Sequence, residues 1–354
     1  MTIIIFIAIL LILILSHEAG HFFTAKLFNI KVEEFGFGIP PRITGVKKGE
    51  TLYSFNLLPF GGFVKIFGEE GQENENHRSF GSKSTLQKSV VLLAGVAANV
   101  VLAFFIFSIV SIFGVPKVIL EKDVLLYSDA KITIVEIVQN SPADKADIQI
   151  GDKINNINGF IPKSLQELQT TIKENSGKKI EIVIERNGDF IKKEIIPRIE
   201  SPAGEGPLGA ALSWTKIEKT SWYKAPIEGA KTTWNTFLGT IYGFSHAIKN
   251  LVVGEKQSIQ IAGPIGIFNI TKDVSRTGFN MLLMLMGVLS INLAIINVIP
   301  FPGLDGGRFL FVILEVIHRK PISPKTGAIF HGIGLAILIA LMIAITLRDV
   351  SRFF

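Results

Sequence analysis

Four long stretches of the chain are almost free of charged side chains, and this feature limits the possible folds more than any other. They cover residues 1–25, 89–114, 281–299 and 327–347. A helix needs about 20 mainly apolar residues to cross a bilayer, and at about 1.5 Å per residue the first stretch would reach roughly 37 Å. Charged residues are dense between the stretches. The pattern predicts an α-helical polytopic membrane protein with four transmembrane helices and both termini on one side.

The first stretch is interpreted as a membrane span rather than as a signal peptide. A signal peptide would have a basic start and a small-residue cleavage site after its apolar core. This chain starts Met-Thr-Ile-Ile-Ile, its first basic residue is Lys26, and the apolar core continues directly into His-Glu-Ala-Gly-His. The segment is therefore expected to remain in the membrane.

Lysine and arginine are concentrated in two connecting segments, between the first and second stretches and between the third and fourth. Cytosolic loops of membrane proteins carry an excess of these residues. Both segments are therefore expected to face the cytosol, with residues 115–278 on the other side of the membrane.

Composition excludes several kinds of site and partner. The chain has no cysteine, so disulfides and cysteine-ligated zinc or iron–sulfur centres are excluded, and any metal must be held by His, Asp or Glu. The net charge of +6 is explained by Lys and Arg flanking the spans. Because no basic stripe with interleaved aromatic residues is present, the bilayer and not a nucleic acid is the expected partner.

Residues 128–199 have the pattern of a small α/β module inserted between the second and third spans. Residues 131–138 are apolar and β-branched, as in a strand. Residues 179–186 and 190–196 flank the Asn-Gly pair that begins at Asn187, which is a strong hairpin signal.

Part of this module resembles a PDZ domain of the type found in bacterial proteases. The resemblance rests on Asn-Ser-Pro-Ala at 140–143, Ile-Gly-Asp at 150–152 and Ile-Asn-Gly at 157–159. Such domains bind peptide ends or segments by adding a strand to their own sheet. A folded spacer without a ligand is the alternative.

A single apolar stripe at helical spacing follows the module, over residues 220–253, and includes Ile227, Trp234 and Ile241. Three placements of this amphipathic helix are open: the outer membrane surface, the PDZ-like module, or a coiled-coil partner, with the membrane surface favoured. The predicted organisation has four parts, namely the N-terminal half of the membrane core (1–114), the extracytoplasmic PDZ-like domain (115–200), a connector with the amphipathic helix (201–278) and the C-terminal half of the core (279–354).

The motif His17-Glu18-Ala19-Gly20-His21 lies inside the first span. Residues four apart share one face of a helix, so both imidazoles can bind one zinc ion, and Glu18 can take a proton from water activated by that metal. Ionisable groups within a span are costly and usually functional. A proton relay or a buried ion pair is the alternative.

A second polar motif interrupts the end of the third span and supplies a candidate third ligand, Asp305. The segment 297–307 has two prolines and three glycines, which stop a regular helix. Irregular backbone at membrane depth is tolerated only inside protein or against water, so a carboxylate on it is poised to face the interior. An ordinary loop aspartate is the alternative.

Residues 51–69 predict a membrane-associated β-hairpin next to the metal site. Residues 53–57 alternate as in a strand, Pro59, Gly61 and Gly62 form a turn, and residues 63–67 return. Substrate helices must unwind before cleavage, and an exposed strand edge can pair with the freed backbone. Gly61 and Gly62 are therefore predicted to contact substrate. A cytosolic surface hairpin is the alternative.

Taken together, the motifs closely resemble those of the site-2 protease family of intramembrane zinc metalloproteases. The helix motif of that family matches His17, Glu18 and His21. The second motif of the family matches Gly95 and Asn99. The third motif matches Asn297, Pro300, Pro302, Leu304, Asp305 and Gly306. The resemblance covers nearly the whole chain and implies that Asp305 is the third zinc ligand, that Asn297 holds unwound substrate and that Asn99 supports the site. Asn99 is equally compatible with a helix–helix contact.

The resemblance also implies the function. The chain is expected to be a bacterial inner-membrane protease of the single-PDZ branch, with its active site towards the cytosol. Its expected substrates are single-span membrane proteins such as anti-sigma factors or remnant signal peptides. Two rivals stay open. One is a catalytically idle membrane scaffold that uses the PDZ-like domain. The other is a transporter or proton channel, which would usually show inverted repeats, and none is detected between the halves of the sequence.

Overall fold

The computed structural model describes residues 1–69, 76–186, 188–202, 204–253, 263–319 and 323–353. Among them, four helices are long and apolar enough to cross a membrane, namely Thr2–Leu27, Thr85–Phe113, Phe279–Val298 and Lys325–Ser351. They coincide with the four predicted spans, which confirms the prediction of a polytopic membrane protein. Most extend beyond the apolar stretches because polar residues at their ends continue the helix.

The described helices are α1 (Thr2–Leu27), α2 (Thr85–Phe113), α3 (Pro142–Lys145), α4 (Leu165–Glu174), α5 (Ala225–Val253), α6 (Pro264–Thr277), α7 (Phe279–Val298), α8 (Asp305–His318) and α9 (Pro324–Phe353), with a 3-10 helix at Glu121–Leu126. The strands are β1 (Val32–Lys48), β2 (Thr51–Ile66), β3 (Val115–Val118), β4 (Lys131–Ile137), β5 (Lys153–Ile157), β6 (Ile180–Arg186), β7 (Asp189–Ile195) and β8 (Ala210–Glu218). These elements form two compact units, one of Met1–Ser108, Pro226–Asn269 and Leu285–Phe354, the other of Ile109–Ala225 and Ile270–Met284.

The second unit contains a six-stranded antiparallel sheet in the order β3-β8-β4-β5-β6-β7. Its core is mainly aliphatic, with one buried tryptophan, and includes Ile134, Ile182 and Leu168, the last from helix α4. The predicted strand and hairpin are present as β4 and β6–β7, whereas Asn187 of the predicted turn lies outside the described residues. The predicted boundary at residue 200 is too early, because β8 pairs with β4 in the same sheet. This pairing joins segments that are distant in sequence, so the local pattern did not indicate it.

The first unit contains a second sheet, formed by β1 and β2. The prediction that residues 53–57 and 63–67 pair with each other is wrong, because β1 lies between them: Phe35 is aligned with both Tyr53 and Val64. The chain reverses earlier than predicted, at Gly49, whose φ of 63° favours glycine. A hairpin is present, but it is formed by β1 and β2: residues 53–57 and 63–66 both belong to β2, and the sequence pattern did not reveal β1.

Helices α1 and α2 approach each other closely through small residues. A Cβ on Gly20 of α1 would lie 2.7 Å from the carbonyl carbon of Ala94 and 2.9 Å from the Cβ of Ala98. Lipid gives no hydrophobic drive for helices to associate, so spans rely on such close contacts between small residues. The contact fixes the face of α1 that carries His17 and His21 against α2.

Helix α5 packs against two spans, which none of the three predicted placements included. A Cβ on Gly229 would lie 2.8 Å from the backbone nitrogen of Ser108 in α2, and Thr240 Oγ1 donates to Asn292 Oδ1 of α7 at 3.0 Å. The apolar stripe is on the other side, since Ile227 and Trp234 are exposed. Small and polar residues thus form the packing face, as expected for helices in contact with lipid.

Glu50, in the turn between β1 and β2, joins the sheet to the end of α1. Its Oε1 accepts hydrogen bonds from Arg78 Nη2 at 2.7 Å and from Lys26 Nζ at 2.5 Å. The bond from Arg78, followed by that from Lys26, lowers the pKa of the Glu50 carboxyl from 4.5 to about 2. Because the folded pKa is depressed, the stabilisation is complete above pH 4.5 and is lost as the pH falls towards about 2.

We expect Glu50→Gln to loosen the turn between β1 and β2 at neutral pH. In the wild type, amide protection factors in the turn should fall as the pH is lowered from about 5 to about 3. In the variant, the protection factors should be low and nearly independent of pH over that range. Hydrogen–deuterium exchange with correction for intrinsic rates measures both. Glu33→Gln is the matched control, because Glu33 pairs with Lys65 instead. A wild-type pH dependence in Glu50→Gln would contradict this role.

Candidate active site

The two histidines of α1 face the same side of the helix and are buried. His17 and His21 are each 8% exposed, and their Nε2 atoms lie 3.2 Å apart. The spacing of four residues places one ring directly above the other along the helix. Measured along the helix axis from the end of α1 at Leu27, His21 lies about 9 Å and His17 about 15 Å into the helix. Both residues are therefore at membrane depth if α1 spans the bilayer.

Asp305 approaches the two histidines from a distant part of the chain. Its Oδ2 lies 2.9 Å from His17 Nε2 and 3.2 Å from His21 Nε2. The third span ends at Val298, and Asp305 is the first residue of α8. The N-terminus of a helix carries partial positive charge, which favours a carboxylate at this position.

Two glycines after Asp305 explain how α8 begins so close to the preceding loop. A Cβ on Gly306 would lie 2.5 Å from the carbonyl carbon of Val298, and one on Gly307 would lie 2.8 Å from that of Phe301. Only hydrogen fits at both positions. The glycines therefore let the start of α8 pack directly against the end of α7 and the loop after it, and Asp305 lies at this point.

The surroundings of the histidines orient their free nitrogens towards the carboxylate. His21 Nδ1 lies 2.8 Å from the carbonyl oxygen of Val91, to which it donates, so its Nε2 lone pair is available for a ligand. Gly95 of α2 leaves room for both rings, since a Cβ there would lie 2.8 Å from His17 Nε2 and closer still to His21 Nε2. The sequence indicated Gly95 only as part of a motif, and the contact gives the physical reason for a glycine.

The three ligand atoms form a nearly equilateral triangle with sides of 2.9, 3.2 and 3.2 Å. In tetrahedral zinc coordination with bonds of about 2.05 Å, ligand atoms lie about 3.3 Å apart. Asp305 Oδ2 is buried and has no hydrogen-bond donor in the part of the chain that the structure describes. Two imidazole nitrogens and one carboxylate oxygen are also a common ligand set for catalytic zinc. The residues therefore fit a zinc ion and leave a fourth position open.

Glu18 lines the same cavity as the three ligands, and the cavity has a volume of about 210 Å³. The edge of β2 approaches Glu18 closely at Gly62, where a Cβ would lie 3.1 Å from Glu18 Cγ and 2.7 Å from Ile14 Cγ2. Gly61 has a φ of 127° and lies beside Ile39, so its part is in the bend of β2. Of the two predicted glycines, Gly62 is among the residues that line the cavity and Gly61 is not.

An ion pair that the sequence did not predict lies at the same cavity. Arg308, one turn after Asp305 on α8, pairs with Glu69 just beyond the end of β2, and both side chains line the cavity. The two residues are 239 positions apart in the chain. The sequence contains one signal for this arginine: Arg308 follows Asp305 by three residues, which places both on the same face of a helix.

The two predicted asparagines lie apart from the residues that line the cavity. Asn99 is fully buried in α2, and its backbone carbonyl accepts a hydrogen bond from Ser290 Oγ of α7 at 2.8 Å. Its side-chain amide has no partner among the described residues. Asn297 is half-buried in the last turn of α7. The roles expected for Asn99 and Asn297 stay predictions.

Comparison with known proteins identifies the family. A model of Peptidase family M50 matches residues 5–341. An inferred zinc metalloprotease of Clostridium perfringens strain 13 is 33% identical over 339 residues, 96% of this chain and 95% of the relative.

Two further relatives align with the entire chain. The zinc metalloprotease RasP of Oceanobacillus iheyensis is 30% identical over 441 aligned residues, covering 100% of this chain and 99% of the relative. The regulator of sigma-W protease RasP of Bacillus subtilis strain 168 is 27% identical over 434, with the same coverage. Since the family model matches most of the sequence and these relatives align along nearly all of it, the chain belongs to peptidase family M50.

Proposed function

We propose that this protein is a zinc metalloendopeptidase that cleaves the transmembrane helices of other membrane proteins. One observation carries the proposal: two histidines of a membrane-spanning helix and an aspartate from a distant loop converge at distances that suit one zinc ion. Membership of a peptidase family whose relatives are named zinc metalloproteases supports the reaction.

In the proposed mechanism, His17, His21 and Asp305 hold zinc, and Glu18 moves the proton. When bound, zinc polarises the scissile carbonyl and lowers the pKa of water so that it attacks at neutral pH. Glu18 accepts the proton of the attacking water as a new C–O bond forms. It then donates that proton to the amide nitrogen as the C–N bond breaks, so that the carboxylate is regenerated.

The edge of β2 is the proposed docking place for substrate. Residues 62–66 pair with β1 on one side, and Gly62, Phe63 and Val64 also line the cavity. A helix shields its own peptide bonds, so a substrate must unwind before hydrolysis, and an unwound segment can regain backbone hydrogen bonds by adding to this edge. In this proposal Gly62 gives the segment access to Glu18, while Gly61 shapes the bend, Asn297 holds unwound backbone and Asn99 supports α2.

The orientation and the outer domain are part of the same proposal. Lys and Arg in the segments between α1 and α2 and between α8 and α9 favour a cytosolic position for the active site. The second unit, with its six-stranded sheet, would then be extracytoplasmic and act as a PDZ-like domain. The name of the Bacillus subtilis relative, a regulator of sigma-W protease, favours anti-sigma-factor-like substrates, with remnant signal peptides as a second class.

Mapping of the cut site tests this function. In proteoliposomes with zinc, we expect a single-span substrate to be cut within the cytosolic half of its span. Placing Gly-Pro in that half should raise the rate about tenfold compared with an all-leucine span, because less helix must be unwound. Mass spectrometry of the products locates the bond. Cleavage confined to residues outside the bilayer, with equal rates for both spans, would contradict intramembrane proteolysis.

A further inference from the structure

The loop before Asp305 rests on the last span through a side-chain hydrogen bond. The backbone N–H of Gly303 donates to Nδ1 of His331 in α9 at 3.1 Å. Gly303 follows Pro302, which has no N–H, and comes two residues before the proposed ligand. His331 thus binds the backbone of the segment that delivers Asp305 to the metal site.

The same face of α9 also supports the loop by direct backbone contact. Gly334 is three residues after His331, on the same side of the helix. A Cβ on Gly334 would lie 2.2 Å from the Pro302 side chain and 2.3 Å from its carbonyl carbon, and one on Gly303 would lie 3.0 Å from the backbone nitrogen of Leu335. We call His331 and Gly334 together the α9 seat.

General burial gives α9 little hold on the loop. Only 6% of the most apolar part of this span is buried, so most of its side chains face outwards. Contact with lipid carries no free-energy penalty for apolar side chains, so hydrophobic burial does not fix the position of such a helix. Specific contacts must therefore fix it. At the loop the described contacts include the hydrogen bond to His331 and the close approaches to Gly334, Leu335 and Leu338.

Asp305 needs this support because its own segment is irregular. Between the end of α7 and the start of α8, the chain has prolines at 300 and 302 and a left-handed glycine at 303 with a φ of 92°. Zinc ligands must lie within about 0.2 Å of their ideal distances. A shift of the loop by a few tenths of an ångström would therefore weaken coordination by Asp305.

We propose that His331 is a positioning residue of the metal centre: its Nδ1 fixes Gly303 and so sets the place of Asp305, with Gly334 leaving the room that the loop requires. The inference rests on the proposed zinc site. It assigns to α9 a part in zinc retention, although none of the three proposed ligands lies on α9.

The test compares zinc binding and kinetics in variants that keep or remove the acceptor atom. In His331→Asn the amide oxygen can accept the bond from Gly303, whereas in His331→Leu nothing can. We expect His331→Leu to bind zinc about tenfold more weakly in a chelator competition, and to lower kcat more than it changes KM. His331→Asn should stay within about threefold of the wild type. His318→Leu is the matched control, because the hydrogen bond described for His318 lies within its own helix, to the carbonyl of Leu314.

Every outcome decides the proposal. Wild-type zinc affinity in His331→Leu would overturn it, as would equal losses in His331→Asn and His331→Leu, because packing rather than the acceptor would then matter. Should His331→Leu not fold, Gly334→Ala serves instead: it is expected to weaken zinc binding, and an unchanged affinity would overturn the seat. If the wild type itself binds no zinc, the proposed function fails first and this proposal falls with it.

Discussion

Glu18→Gln is expected to reduce cleavage by about a thousandfold while zinc stays bound in a one-to-one ratio. Glutamine has the shape of glutamate but cannot accept the proton of the attacking water, and proton transfer by a positioned group contributes about 10² to 10⁴ in rate. The three proposed ligands are unchanged, so the metal should remain. Zinc content by elemental mass spectrometry and the rate on a single-span substrate give the two readouts.

Glu228→Gln is the matched control for this variant. Glu228 lies on α5, is half-exposed and pairs with Lys231, so its loss should leave both zinc content and rate unchanged. If Glu18→Gln cleaves the substrate at the wild-type rate, then the proposed proton transfer by Glu18 is wrong, whatever the metal content.

Asp305→Asn is expected to remove both zinc and activity. The neutral amide oxygen of asparagine is a much weaker ligand than a carboxylate oxygen, and asparagine does not balance the charge of the ion. Substitutions beyond the ligands already cost 10- to 100-fold in metal affinity, so loss of a ligand should weaken zinc binding by at least about a hundredfold. Chelator competition measures this affinity directly.

The pattern across the two variants separates ligand from base. Glu18→Gln should lose rate alone, whereas Asp305→Asn should lose metal and rate together. Asp129→Asn, at an exposed turn of the second unit, is the control for the chemistry of the substitution. Wild-type zinc affinity in Asp305→Asn would exclude this residue as the third ligand.

The spans and the residues of the proposed metal centre could be predicted because their signals are local. Length and hydropathy identify a span without knowledge of its neighbours. The spacing of His17 and His21 on one helix fixes their relative position, and prolines and glycines around Asp305 indicate an interrupted helix. The meeting of Asp305 with the two histidines was reached through the resemblance to a family, since spacing in sequence carries no information about contacts between distant segments.

Contacts between distant segments account for what the sequence did not reveal. The strand β1 aligns with two separate parts of β2, and no alternation within residues 32–48 indicates this. The pairing of Arg308 with Glu69 and the bond from Gly303 to His331 both join residues of different elements. Each becomes visible only when the whole unit is folded.

The misplacement of α5 has a different physical cause. The prediction used the apolar stripe to place the helix, with the outer membrane surface favoured over the PDZ-like module and a coiled-coil partner. Here the apolar residues Ile227 and Trp234 are outside, while Gly229 and Thr240 contact the spans. Beside lipid an apolar surface has no reason to be buried, so small and hydrogen-bonding residues determine the packing face.

The free edge of β2 has a consequence for the hydration of the active site. Gly62, Phe63 and Val64 pair with β1 along one edge of the strand and line the cavity, and the described pairing leaves their other edge open. Unpaired backbone groups cannot remain dry within a bilayer, because each would cost several kcal/mol. If this edge receives the substrate at membrane depth, as proposed, its backbone groups must be solvated before the substrate arrives. The edge would then also keep a supply of the second reactant, water, beside the proposed metal centre.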